Sequence, residues 1–261
     1  MTAADDPPVR FTADGTVARL ILNRPDKRNA VSPEVAADLE AALDRLESSP
    51  ELRVGVVSGA GPAFCAGADL GYVARGEAAR LSTRRGGFAG FVRYPRRKPL
   101  IAAVHGYALA GGFEIALACD LIVAERGAVF GLPEVTRGLI ANGGGVLRLA
   151  GALPRARALE LILTGRRLDA AEAAGLGLIT RVVPDGEALT AALALAAEIA
   201  SHPAAVVQES LYLANAAARL PAEELWTLCA EIAGRLRGAA DAREGATAFL
   251  ERREASWNST Q

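Results

Sequence analysis

The sequence predicts a mixed α/β chain, with stacked strand-rich repeats flanked by helices and then a tail of helices alone. Short apolar runs bounded by turn residues alternate with segments of helical periodicity as far as about residue 184. From Asp185 onward the pattern is helical only, and the composition shifts near residue 200. The length, 261 residues, suits one large domain or one domain with a smaller appendage. Such a chain buries roughly 70–75% of its unfolded surface and needs neither disulfide nor metal to hold a core.

The elements follow in order. Residues 17–22 are apolar, lie between Asp14-Gly15 and Asn23-Arg24-Pro25, and read as a strand. Ser32 then Pro33 start a helix, a cap oxygen followed by a proline at the first helical position, and Val35, Leu39, Ala42, Leu43 and Leu46 recur at helical spacing. A strand over 53–58 ends in the turn Gly59-Ala-Gly-Pro62. A third strand, 100–104, runs through Gly106 to Gly111-Gly112, a helix over 113–119 and a fourth strand over 121–124. Asp169-Ala-Ala-Glu172 resembles a capping box, with Gly175 suited to the left-handed C-terminal residue of that helix. Val182-Val183-Pro184 closes the last strand. Pro203 and Pro221 then punctuate three amphipathic segments, and Asp241-Ala-Arg-Glu244 is expected to cap a final helix. The stripe Leu211, Leu225, Trp226, Leu228, Ile232 and Leu236 must be covered, by the core or by a neighbouring subunit. The division expected is a core over 1–199 and a C-terminal helical region over 200–261.

Composition narrows the function classes. With 29 Lys+Arg against 30 Asp+Glu, the net charge is −1, far from the basic balance of a nucleic-acid protein. Only Lys27 and Lys98 are lysines; the arginines are scattered and read as a solvated face. Cys65, Cys119 and Cys229 form no CxxC pair, and His105 and His202 are too far apart in sequence to seed a metal cluster. Residues 1–8 carry two aspartates and no apolar run, unlike a signal peptide. The apolar stretch 100–124 has the length of a membrane span but contains His105, Glu114 and Asp120, so it reads as strand, turn and buried helix. A soluble, cytoplasmic protein is expected.

No nucleotide fingerprint and no G-x-S-x-G elbow is present, and Gly143-Gly144-Gly145 fits neither. Two turns stand out, Phe64-Cys-Ala-Gly-Ala-Asp-Leu70 and His105-Gly-Tyr-Ala-Leu-Ala-Gly-Gly-Phe-Glu114, each after a strand and before a helix. Free N–H groups at such places can converge on a carbonyl oxygen as an oxyanion hole; equally, these can be plain tight turns. Glu114 sits in an otherwise apolar run and Glu134 lies in Phe130-Gly-Leu-Pro-Glu134. Two carboxyls in an apolar cleft suit acid/base chemistry, while ion pairs with Arg137 or Arg148 would make them structural.

Four ordered motifs carry a resemblance over nearly the whole chain: Asn23-Arg-Pro-Asp-Lys-Arg-Asn-Ala30, Phe64–Leu70, Lys98-Pro-Leu-Ile-Ala-Ala-Val-His-Gly-Tyr-Ala-Leu-Ala-Gly-Gly-Phe-Glu114 and Phe130–Glu134. Together they resemble the enoyl-CoA hydratase/isomerase (crotonase) family. The resemblance implies a crotonase-like spiral of repeated ββα units, a C-terminal helical trimerisation region, and a trimer or dimer of trimers. It implies an acyl-CoA thioester substrate and no separate cofactor, since the CoA belongs to the substrate. By motif the oxyanion donors fall on Ala66 and Gly111, and the substrate and CoA contacts on Arg24, Ala66, Gly67, Ala68, Asp69, Leu70 and Gly111.

The two glutamates of family members that add water fall on Glu114 and Glu134. Isomerases, hydrolases, decarboxylases and cyclising members place other residues there. The implied reaction is therefore syn addition of water to a trans-2-enoyl-CoA, giving a 3-hydroxyacyl-CoA. The rivals are an isomerase, a hydratase of a specialised acyl group, and a noncatalytic binding protein. Two departures from the family pattern bear on this. Asn142 stands where a glycine N–H helps position the water, and Ala110 replaces the first glycine of a Gly-Gly-Gly triplet, a change expected to be neutral. Residues 74–97, expected beside the acyl tail, match no family signature.

Overall fold

A computed structural model describes residues 6–257; part of the N-terminal reading above, residues 1–5, lies outside it. The chain begins with a hairpin, β1 (Val9–Asp14) and β2 (Val17–Leu22), turned at Gly15 with φ +55°. β1 has no counterpart in the sequence reading, because only Val9 of its six residues is buried and its hydrophobic signal is weak.

α1 (Pro33–Ser48) starts as expected, with Ser32 Oγ accepting from the Val35 N–H at 3.4 Å. Its stripe Val35, Leu39, Ala42, Leu43 and Leu46 is buried, each leucine contributing about 1.5–3 kcal/mol. β3 (Val54–Gly59) follows, then α2 (Leu70–Ala74) and a small hairpin, β4 (Ser82–Thr83) with β5 (Gly87–Phe88). The long apolar stretch resolves into β6 (Leu100–Val104), β7 (Tyr107–Leu109), α3 (Gly111–Ala118) and β8 (Leu121–Glu125). Among the described residues no single helix is long and apolar enough to cross a membrane.

β9 (Val129–Gly131), α4 (Gly145–Ala152), α5 (Arg155–Thr164), β10 (Leu168–Asp169), α6 (Ala170–Gly175) and β11 (Arg181–Val183) complete the strand-bearing part. The main sheet runs β1-β2-β3-β6-β8-β11, parallel from β2 onward, and a smaller sheet runs β10-β9-β7. The chain thus visits the large sheet, the small sheet and then a helix, as β6–β7–α3 and again as β8–β9–α4: the repeated ββα unit.

Because β3, β6 and β8 are covered on both faces, they read as nearly continuous apolar runs, while β2 is interrupted by Arg19. One face carries Leu20, Leu22, Val57 and Leu100 against α1 and α3. The other carries Val17, Val54, Val56, Ile101 and Val123 against Ala188, Ala192, Leu195 and Ala196 of α7 (Ala188–Ala200).

Two expected helix ends are corrected. Gly175 lies inside α6, and the left-handed residue is Gly177 with φ +80°. Asp241 does not cap the last helix: α10 (Ala240–Glu251) has Ala239 at its N-cap, with no side-chain cap bond. Between them α8 (Ala204–Ala217) and α9 (Ala222–Arg237) leave much of the expected stripe uncovered within one chain; Ile232 is buried but Trp226 is 72% exposed.

Candidate active site

The first turn is fastened by the loop over residues 23–30. Buried Asn29 donates through Nδ2 to the carbonyls of Ala60 and Ala63, at 2.9 and 2.7 Å, and accepts from the Arg24 N–H at 2.8 Å. The Arg24 guanidinium donates to Ala30 O at 2.6 Å and to Asp69 Oδ2 at 3.2 Å. Asp69 Oδ1 accepts from the Gly71 N–H at 3.1 Å, capping α2, while Leu70 is exposed. Arg24 and Asp69 are therefore engaged in holding the turn's shape.

Which N–H groups remain free is decided here, and it corrects the sequence reading. The Ala66 N–H donates to Arg28 O at 2.9 Å, so it is not available to a substrate oxygen. The Gly67 N–H points to Cys65 Sγ at 3.4 Å, and the Asp69 N–H donates to Val31 O at 2.9 Å. Within this turn the N–H groups of Ala68 and of Leu70, the first residue of α2, have no hydrogen-bond partner among the described residues, and Ala68 is the one that adjoins Gly67 where the second turn approaches.

The second turn is zipped to the first. Phe64 and Cys65 donate to the carbonyls of His105 and Tyr107, each at 3.0 Å, and the Leu109 N–H returns to Cys65 O at 3.1 Å. Gly111 opens α3, where the first N–H groups have no intrahelical partner, and its own is unpaired. A Cβ on Gly67 would lie 2.9 Å from Gly111 N, so the two turns meet at backbone distance and Gly67, with φ +94°, admits no side chain. Ala110 is not a neutral replacement. Its φ of +50° and ψ of −128° lie in a region that glycine alone enters freely, so its methyl is strained.

α3 carries Glu114 to the inside, where it is 3% exposed. Its Oε1 accepts from the Gly145 N–H at 2.9 Å, and a Cβ on Gly143 would lie 2.5 Å from its Oε2. The triple glycine that matched no nucleotide signature is thus the cradle of a carboxylate. Glu134 stands in the 3-10 turn Pro133–Arg137 after β9, 8% exposed, and its Oε2 is buried without a hydrogen-bond partner.

Burial raises both carboxyls above the ordinary range. Glu134 is pushed up to about 7, by desolvation first and by the negative charge of Glu114 as well. Glu114 is also raised by burial, and the N–H groups of Gly145 and Gly143 and the charge of Arg148 pull it back. The ion-pair alternative does not hold. Arg137 donates to Pro133 O and Thr136 Oγ1, and Arg148 donates to Gly143 O and Val92 O; neither makes a salt bridge to either glutamate.

Asn142 is not a water-positioning group in this arrangement, since its N–H donates to Ile140 O at 2.8 Å and the residue is exposed. Cys65 and Cys119 are buried thiols pushed up to about 12, too weakly acidic to act as nucleophiles.

The enoyl-CoA hydratase/isomerase family matches residues 12–260. A carnitinyl-CoA dehydratase of Proteus mirabilis is 39% identical over 255 residues, 95% of this chain and 97% of that protein. An enoyl-CoA hydratase structure from Mycobacterium marinum superposes with a TM-score of 0.92 at 42% identity, covering 98% of this chain and 100% of the other. A carnitinyl-CoA hydratase structure from Mycobacterium avium gives 0.78 at 43% identity, with 97% and 99% covered. With the ββα repeat, the paired turns and these matches over nearly its full length, the chain belongs to the enoyl-CoA hydratase/isomerase (crotonase) family.

Proposed function

We propose that the protein is an acyl-CoA hydro-lyase that adds water to a trans-2-enoyl-CoA and, in reverse, dehydrates a 3-hydroxyacyl-CoA. The observation that carries this is a pair of buried glutamates that make no salt bridge among the described residues, beside two adjoining turns with free N–H groups. The N–H groups of Ala68 and Gly111 donate to the thioester oxygen and stabilise the enolate that forms as water adds, each donor worth about 3–4 kcal/mol. Glu114, with Oε1 held by Gly145, takes the proton of the attacking water. Glu134, which burial pushes up to about 7 so that a proton is within its reach near neutrality, delivers a proton to carbon 2. This chemistry uses protein groups and the CoA carried by the substrate. A double-bond shift can be run by one base alone, so the second buried carboxyl favours addition of water, and a noncatalytic protein has no use for either.

The matched proteins include both enoyl-CoA hydratases and carnitinyl-CoA dehydratases. This supports the reaction class and leaves a specialised acyl group as the second reading. A homotrimer or dimer of trimers built through residues 200–261 is part of the same reading. It is supported by Trp226, Phe249 and Leu250, which are 72, 83 and 81% exposed in one chain.

The test is a panel of trans-2-enoyl-CoA thioesters of graded length together with carnitinyl-CoA, followed by loss or gain of the conjugated thioester, with product stereochemistry recorded. Glu114→Gln and Glu134→Gln should each lower turnover by several orders of magnitude with the fold retained, and non-additively. Near-normal turnover in either variant would overturn the two-carboxyl mechanism.

A further inference from the structure

The segment that matches no family signature contains an aromatic ring placed against the candidate oxyanion site. A Cβ on Gly111 would meet both Cε1 and Cζ of Phe88 at 2.4 Å, so the tip of the ring packs directly on that residue. If the Gly111 N–H holds the thioester oxygen, carbon 1 of the acyl group sits at the start of α3, and a ring on the same residue borders carbon 2.

The ring is held firmly. β4 and β5 pair with Ser82 opposite Phe88, and Phe88 is flanked by Gly87 at φ +69° before it and by Ala89 and Gly90 at φ +58° and +65° after it. The turn is drawn so tight that a Cβ on Gly90 would lie 2.0 Å from Ala36 O of α1, and one on Gly86 would lie 2.0 Å from Gly90 O. Two carboxylates of α1 fasten it. Glu40 accepts from the Gly86 N–H at 2.8 Å and from the Thr83 hydroxyl, and Asp44 accepts from Arg85 at 2.6 Å and from the Tyr94 hydroxyl at 2.5 Å. At the far end Arg148 of α4 donates to Val92 O at 2.6 Å and to Gly143 O at 3.2 Å, tying the segment to the glycine cradle of Glu114. Behind Phe88, Ala89, Phe91 and Val92 are buried in the core.

We propose that Phe88 is a fixed wall of the acyl pocket at carbon 2, selecting straight-chain acyl-CoA thioesters over those branched at that carbon. The inference rests on the reading of Gly111 as the oxyanion donor.

The experiment compares wild type with Phe88→Ala and Phe88→Leu on a four-carbon trans-2-enoyl-CoA and its 2-methyl counterpart, reading kcat/KM. In parallel, Kd is read for the saturated butanoyl- and 2-methylbutanoyl-CoA, which need no turnover. One methyl group against an apolar wall discriminates by roughly 10–200-fold. Wild type should therefore prefer the straight chain by about 10-fold or more in both measurements, and Phe88→Ala should collapse that ratio, with Phe88→Leu between. Melting temperature checks that the variants fold. A ratio unchanged in folded Phe88→Ala, or absent in wild type, overturns the proposal. A wild type that binds with the expected ratio but turns over nothing overturns the hydro-lyase reading and leaves the wall standing.

Discussion

Replacing Glu134 by glutamine should flatten the protein's stability profile with pH while removing its turnover. An exposed glutamate in the unfolded chain titrates near 4.5, whereas folded Glu134 is pushed up to about 7 by burial and by the charge of Glu114. Between those values the native state holds a proton that the unfolded state has released, so stability falls as pH rises through this window. The loss is complete above the folded value, where the buried side chain must ionise. Each pH unit of separation is worth about 1.4 kcal/mol, so going from pH 5 to pH 8 should cost the wild type roughly 2–3 kcal/mol through this residue. Glutamine does not titrate, and whatever its amide costs in the pocket is the same at both pH values and cancels in the difference. The assay is denaturant unfolding of both proteins at pH 5 and pH 8, at one fixed protein concentration so that any assembly equilibrium is held constant. Parallel stability curves for wild type and Glu134→Gln would refute the burial argument. They would also remove the physical basis for Glu134 as the proton donor near neutrality.

Two further outcomes follow from the turns. Ala110→Gly should stabilise the fold, because relief of about 1–3 kcal/mol of backbone strain exceeds the roughly 0.5–1 kcal/mol entropy cost of glycine; a melting temperature unchanged or lowered would contradict this. Ala68→Pro should lower turnover by about 10²–10³ with modest loss of stability, since it removes an unpaired N–H. Ala66→Pro should instead lower stability by about 1–3 kcal/mol or more, because it breaks the bond to Arg28 O. Equal losses of rate and melting temperature in both variants would return the turn to a purely structural role.

The sequence by itself determined the mixed α/β class, the core strands as segments, and the presence of two glutamates amid apolar neighbours, while the strands' parallel pairing came from the structure. Those rest on signals local to each segment: continuous apolar runs at Val54–Gly59 and Leu100–Val104, the cap at Ser32, and a carboxylate at Glu114 amid apolar neighbours. The short strands β7 and β9, each of three residues, are too brief for periodicity to register, although they build the second sheet. Tertiary structure alone decided the rest of the candidate site. Ala66 and Ala68 look alike in sequence, and only the approach of Arg28 O leaves the second N–H free and the first occupied. Gly143 and Gly145 acquire their meaning from a carboxylate 31 residues before Gly145. Phe88 acquires its own from contact with Gly111, and Ala110 looks harmless until its φ is known. Each of these is an allocation of hydrogen bonds or space between segments distant in the chain, and no pattern within one segment encodes which partner arrives.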